Sequence, residues 1–302
     1  MPNRIAFYIA SATLAVGGWN NARAATHGPC DDSLTRSIPA RAADAPGGRA
    51  FAERLRGLTD DERETYIRHE LSVGNIPDFL RHLVPIRLQS NVGNGRGEEV
   101  IVCAAPDYLA IGSDEDFLLT PMRLATALSM GSEFGFTLPT THIVDAIYAQ
   151  AAVRLSPQPL PAGREMRSTA YSVRHNELVG AQRTALGASL GALIAGDKKD
   201  LVLSNRLRSH FDRVAIYGWH TINGRPIQPL STVHGWRYAD YSHGARLVST
   251  RVFVGGQPRS IFDALQDTRL AHVLSSEGVI SDVIGLIETL DHRAQVAIAS
   301  VR

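Results

Sequence analysis

Apolar and polar positions along this chain switch between a helical period and a strand-like one. Thr59-Asp60-Asp61-Glu62 is an S/T-x-x-E capping box and predicts a helix from there to about residue 71. Asn75-Ile76-Pro77 opens a short helix, with proline early, where its missing N–H costs nothing. Residues 85–89 and 99–104 read as paired strands, with a glycine-rich loop over 91–97 between them. Residues 109–112 form a short apolar run. Thr120-Pro121 predicts the start of a helix that ends near Gly131. Thr140-Thr141 predicts another, with Ile143, Ile147, Ala151 and Leu155 on one face. Three prolines make 156–163 a loop, and a helix is expected over 172–186.

Further on, Leu201-Val202-Leu203 and Val214-Ala215-Ile216-Tyr217 read as strands. Asn223-Gly224 is a strong hairpin signal joining 217–221 to 225–228. Residues 245–254 are β-rich and end in Gly255-Gly256; helices are expected over 260–266 and 280–290. There is no internal repeat. The order predicts an α+β fold, a helical N-terminal half packed on a mixed, largely antiparallel sheet in the C-terminal half.

The first residues have a separate pattern. Arg4 precedes an apolar run from Ile5 to Val16, and Ala22-Arg23-Ala24 supplies small residues in the A-x-A arrangement of a signal peptidase site. We therefore expect a signal peptide over 1–24, a linker over 25–50 and a single α+β domain over 51–302, with a soft boundary near 160. The run is too short for a lasting membrane anchor, so the expectation is a secreted or periplasmic protein without stable membrane insertion. An oxidising compartment makes Cys30 and Cys103 a candidate disulfide, stabilising by about 4 kcal/mol in the chain-entropy model.

Charge adds one exclusion and one lead. Lys+Arg number 31 against Asp+Glu 30, a net charge of +1, which argues against a nucleic-acid partner. Of those 31 only two are lysines, the adjacent Lys198 and Lys199, leaving 29 arginines. A chain that uses arginine at generic basic positions keeps lysine where a compact or deprotonatable amine is needed. Asp197 and Asp200 flank the pair and are expected to hold one ammonium.

The densest polar cluster follows. Between residues 217 and 247 lie His220, His234 and His243, Trp219 and Trp236, Tyr217, Tyr238 and Tyr241, with Asp240, Ser242 and Arg246. Imidazoles supply acids and bases near neutral pH, and flat rings supply walls for a sugar or peptide. His175 and Asn176, on the 172–186 helix, are further pocket candidates.

Known motifs fit these residues only in part. His234 and Asp240 resemble the His…Asp pair of zinc D,D-peptidases, but no Glu-x-x-His follows. Ser242-His243-Gly244-Ala245-Arg246 resembles the Ser-His-Gly-Cys-x-Arg motif of L,D-transpeptidases, with Ala245 where the nucleophilic cysteine belongs. There is no G-x-S-x-G elbow for a serine triad. Asp114-Glu115-Asp116 reads as an acidic turn leading to a helix. The strings Gly-Asp-Lys-Lys-Asp, Ile-Tyr-Gly-Trp-His, Pro-Ile-Gln-Pro-Leu and Tyr-Ala-Asp-Tyr-Ser-His-Gly-Ala-Arg-Leu-Val resemble a group of secreted bacterial proteins, which implies export and a shared site, without an activity.

The leading expectation is a secreted hydrolase of a polar polymer or smaller polar substrate, cell-envelope glycan or peptide, needing no cofactor. His243, oriented by Asp240, is the expected acid–base group; Lys198 or Lys199 stabilises negative charge, and His220 and His175 complete the catalytic set. Trp219, Trp236, Tyr241, His234, Ser242, Arg246 and Asn176 are the expected substrate contacts. The alternatives are a non-catalytic saccharide- or envelope-binding protein, and a zinc-dependent hydrolase using His220, His234 and His243.

Overall fold

The computed structural model describes residues 28–89 and 98–299; the expected signal peptide and the 91–97 loop lie outside the described residues. Helices α1 (Gly48–Arg54) and α2 (Asp60–Ser72) come first. Both halves of the predicted capping box form: the Thr59 side chain accepts from Glu62 N–H, and Glu62 accepts from Thr59 N–H at 2.8 Å. Pro77 opens only a 3-10 turn, Asp78–Arg81. Strands β1 (Val84–Gln89) and β2 (Glu99–Ala104) pair antiparallel, and β3 (Ala110–Gly112) with β4 (Phe117–Leu119) makes a small hairpin. The acidic run 114–116 is therefore the turn of that hairpin and does not lead into a helix.

Next come α3 (Leu124–Phe134), β5 (Phe136–Thr137), α4 (Thr141–Gln150) and β6 (Val153–Arg154). The helix expected from Thr120-Pro121 begins three residues later, because Thr120 Oγ1 donates to the carbonyl of Leu118 and not to a helix terminus. Thr140 does cap α4, but Ala151 ends it and Leu155 lies beyond the helix. Helix α5 (Thr169–Ala185) is capped by Ser168, one turn ahead of expectation. Short strands β7 (Ile194–Ala195) and β8 (Lys199–Leu201) follow, then the predicted hairpin of β9 (Ile216–His220) and β10 (Pro226–Ser231), with Gly224 at φ 85° in its turn. The chain closes with β11 (His243–Gly244), β12 (Val248–Val254), β13 (Gln257–Ser260), α6 (Ile261–Gln266), α7 (Ala271–Leu274) and α8 (Val283–Ala299).

The fold is α+β. One sheet has the order β1-β2-β12-β13, with β5 also paired to β12; a second has the order β10-β9-β8-β11. All pairs in the first are antiparallel, while β11 joins β8 in parallel. The N-terminal half is not simply helical. It supplies β1 and β2, and β2 pairs directly with β12 from the other end of the chain. Central β2 is buried from Val100 to Ala104, because both its faces are covered and a solvent-facing alternation has no place there. One apolar core runs from Ile38 through Leu155 and Val179 to Leu290, so residues on both sides of position 160 share it. The Cys30–Cys103 disulfide ties the segment before α1 to β2 across 73 residues. Among the described residues, no helix is long and apolar enough to cross a membrane.

Candidate functional site

The strand β8 organises the site. Parallel pairing sets Lys199 beside His243, and antiparallel pairing sets it beside Gly218. Residues directly opposite in adjacent strands project to the same face, so Lys199 and His243 share one. Gly218 at φ 102° and Trp219 at φ 55° then turn the chain, with Trp219 N–H bonded to the Lys198 carbonyl. A tryptophan in the left-handed region stores strain of about 1 kcal/mol or more, and such strain collects at ligand sites. The turn sets the Trp219 ring 5.0 Å from Lys199 Nζ.

Helix α5 brings in His175, whose ring lies 5.1 Å from Tyr241 and 6.5 Å from Trp219. The Tyr241 hydroxyl accepts from Leu160 N–H at 2.7 Å, so this ring both walls the site and anchors the proline-rich loop. Lys198 is 1% exposed, and its ammonium donates to the Tyr241 carbonyl at 2.6 Å. Among the described residues, neither lysine has a carboxylate at ion-pair distance. Neither Asp197 nor Asp200 forms the expected ion pair with a lysine, although the charge of Asp197 favours the Lys198 ammonium. Asp200 accepts from Tyr108 Oη and faces Arg246, and Asp197 has no hydrogen-bond partner.

Both oxygens of Asp240 accept hydrogen bonds, none of them from His243. One carboxylate oxygen accepts from Ser242 N–H and Oγ at 2.8 and 2.6 Å, the other from Tyr238 Oη at 2.9 Å. It therefore does not orient His243 by a hydrogen bond, although its charge acts on that ring. All four ring nitrogens of His175 and His243 lack a partner, and both residues are 0% exposed. The indole N–H of Trp219 is likewise buried and unpaired. His234 stacks on Tyr238 at 4.1 Å and stands 6.1 Å from His243, half-buried, so the cluster reaches solvent along this wall and Lys199.

Burial sets the protonation states. It drives His175 down to about 2, helped by Lys198, and His243 down to about 4 against the pull of Asp240. Both imidazoles are neutral at pH 7. Lys198 falls to about 8 by burial, opposed by nearby carboxylates, and stays mostly an ammonium. Burial would raise Asp240, but His243 and the bonds from Ser242 hold it below the usual carboxylate range.

Four expected site residues lie elsewhere. His220 Nε2 meets Asp145 at 2.9 Å and the ring stacks on Tyr148, on the Asp200 side of β8. Arg246 donates to the carbonyls of Ala105 and Ile194 at 3.0 and 2.7 Å and lies over the Tyr108 ring. Asn176 clamps β4 through Leu119 N–H and the Phe117 carbonyl. Trp236 stacks under Arg237 at the surface. Tyr238 and Tyr171 were not expected as site residues. Tyr238 braces Asp240, and Tyr171 packs edge-on against Tyr241; only the aromatic density of 236–241 hinted at the first.

His220's position separates the three histidines of the zinc alternative. Among the described residues, no group of three or more His, Cys, Asp or Glu is placed to hold a metal ion. No family model, curated protein or solved structure matches this chain.

Proposed function

We propose that the protein is a secreted hydrolase that acts on a polar cell-envelope substrate, glycan or peptide, by general acid–base chemistry. The observation that carries this reading is the set of four unpartnered imidazole nitrogens on two fully buried histidines beside a buried ammonium. Buried polar groups in folded proteins are almost always paired, so an unpaired set marks a place that a substrate or water completes.

Neutral His243 is the base. It takes a proton from an attacking water, and the nearby Asp240 carboxylate stabilises the imidazolium that forms. Lys198 and Lys199 offset negative charge that develops on the substrate. His175, Trp219 and Tyr241 shape the inner wall. Trp219 and Tyr241 are 5% and 1% exposed and pack with Leu160, so they do not form the open stacking platform expected for a sugar. The A-x-A pattern at Ala22–Ala24 and the Cys30–Cys103 bond support an exported protein.

Purified protein should release product from a panel of wall muropeptides and envelope polysaccharides. His243→Ala should lower the rate by about 100-fold or more, with His243→Gln, which better fills the buried site, losing activity at a smaller cost in melting temperature. Full activity in His243→Ala, or binding without any product across the panel, would remove the proposal.

A further inference from the structure

The same cluster carries information about its substrate, and the inference rests on the site being a ligand site, as proposed above. Nearby cations come matched with carboxylates. Arg63 and Arg167 pair with Asp60, Arg123 and Arg237 with Asp61, and Arg183 with Asp107. Lys198 and Lys199 break this pattern. Lys198 spends one of its three N–H bonds on a neutral carbonyl, and Lys199 lies against the face of an indole. Beside them, the Trp219 indole N–H is an unpaired buried donor, and neutral His175 and His243 each carry one further unpaired N–H.

The unpaired acceptors are the second nitrogen of each imidazole and the oxygens of Asp197. Both oxygens of Asp240 are taken by Ser242 and Tyr238. Asp197 makes no ion pair with Lys198, although its charge favours that ammonium, and both residues lie in the field of Asp107 and Arg183. The site thus holds two ammonium groups that make no ion pair among the described residues, with Asp240 hydrogen-bonded to its neighbours and the unpaired Asp197 acting on Lys198 by charge alone. A cation would meet repulsion from both ammoniums, and a neutral sugar would leave Lys199, which has only the field of Asp240, without an ion-pair partner.

We propose that the cluster of Lys199, Trp219 and His243 binds an oxyanionic group of the substrate, a carboxylate or a phosphate, with Lys198 and Lys199 as its counter-charges. Charge-assisted hydrogen bonds from ammonium to oxyanion are about twice as strong as neutral ones, and the low-dielectric surroundings strengthen them further. Envelope glycans and peptides carry both kinds of group, so the two sources need separate probes.

The test is a titration of the full protein with inorganic phosphate and, separately, with acetate, followed by the His243 ring and Trp219 indole resonances, with sodium chloride as the ionic-strength control. Saturable shifts at these two residues with phosphate, acetate or both are expected, and the stronger probe identifies the source. Lys199→Gln should weaken that binding about tenfold or more, while Lys199→Arg, which keeps the charge but not the compact ammonium, should keep only part of it. Lys199 is only half-buried, so neither variant threatens the fold. Absence of shifts with both anions, or equal shifts in Lys199→Gln, overturns the inference. Anion binding without turnover of any substrate would leave it standing and remove the hydrolase reading. Turnover of uncharged substrates with no anion binding would do the reverse.

Discussion

On one side of β8, Asp200 accepts from Tyr108 Oη at 2.9 Å, Arg246 fills two backbone carbonyls, and Gly244 lets the Tyr108 ring approach so closely that a Cβ there would lie 2.4 Å from it. On the other side, Lys198, His175 and His243 are equally buried and have one hydrogen bond among their side chains. Both sides cost desolvation. The first recovers part of it within the protein, leaving Asp200 Oδ1 and Arg246 Nε facing each other without a hydrogen bond; the second leaves both imidazoles wholly unpaired. Asp197 blurs the contrast, being an unpaired carboxylate in the field of cations from both sides. The difference separates a buried polar group that holds the fold from one whose partner comes from outside.

The largest test of this contrast is Arg246→Met. The substitution leaves Asp200 without its counter-charge and two buried carbonyls unpaired. Denaturant unfolding should show a loss of about 3–5 kcal/mol. A loss below about 1 kcal/mol would mean that the paired side is not structural.

The two sides should also respond to pH with opposite signs. Burial raises Asp200 to about 7, so its cost is absent below the ordinary aspartate range and grows as pH rises toward 7. His175 is lowered to about 2, so its stability contribution is complete above about pH 6.5 and is lost as pH falls below it. Relative to the parent, Asp200→Asn should therefore gain stability as pH rises from about 4 to 7. His175→Phe should gain as pH falls over about the same window, each with a slope of about one proton. Unfolding midpoints of the three proteins between pH 4 and 7 check this, and parallel curves would refute the assigned burial of both groups.

A smaller effect is expected from Tyr108→Phe, which removes the phenol that bonds Asp200 and keeps the ring under Arg246. The loss should be about 1–2 kcal/mol by thermal or chemical unfolding. An unchanged stability would show that this hydrogen bond is not part of what holds the Asp200 side.

Local signals in the sequence were reliable where one short segment decides the structure. The Thr59–Glu62 box, the Asn223-Gly224 turn and the β1–β2 pair all form. What pairs with β2 from far along the chain was not legible, because β12 lies some 150 residues on and nothing local marks it. The site shows the same division. The rarity of lysine located Lys198 and Lys199, and aromatic density located the 234–243 stretch. His220 and Arg246 share that composition yet face away, since strand alternation and the Gly218–Trp219 turn set direction. Residue type does not reveal which polar groups find partners. Asp145 satisfies His220 from a helix 75 positions away.

The finest test concerns His175 alone. Neither ring nitrogen bonds any described residue, and its neighbours Trp219, Tyr241 and Tyr171 form an apolar and aromatic wall with Leu160 and Met166. Phenylalanine keeps the ring contacts and removes two buried unpaired nitrogens, so His175→Phe at pH 7 should change stability by less than about 1 kcal/mol, toward greater stability. If His175 meets the substrate, the same variant loses turnover while its melting temperature holds or rises. A fall in stability of about 2 kcal/mol or more would mean that a partner inside the protein, and not a ligand, completes this imidazole, and the contrast between the two sides of β8 would collapse at its most buried point.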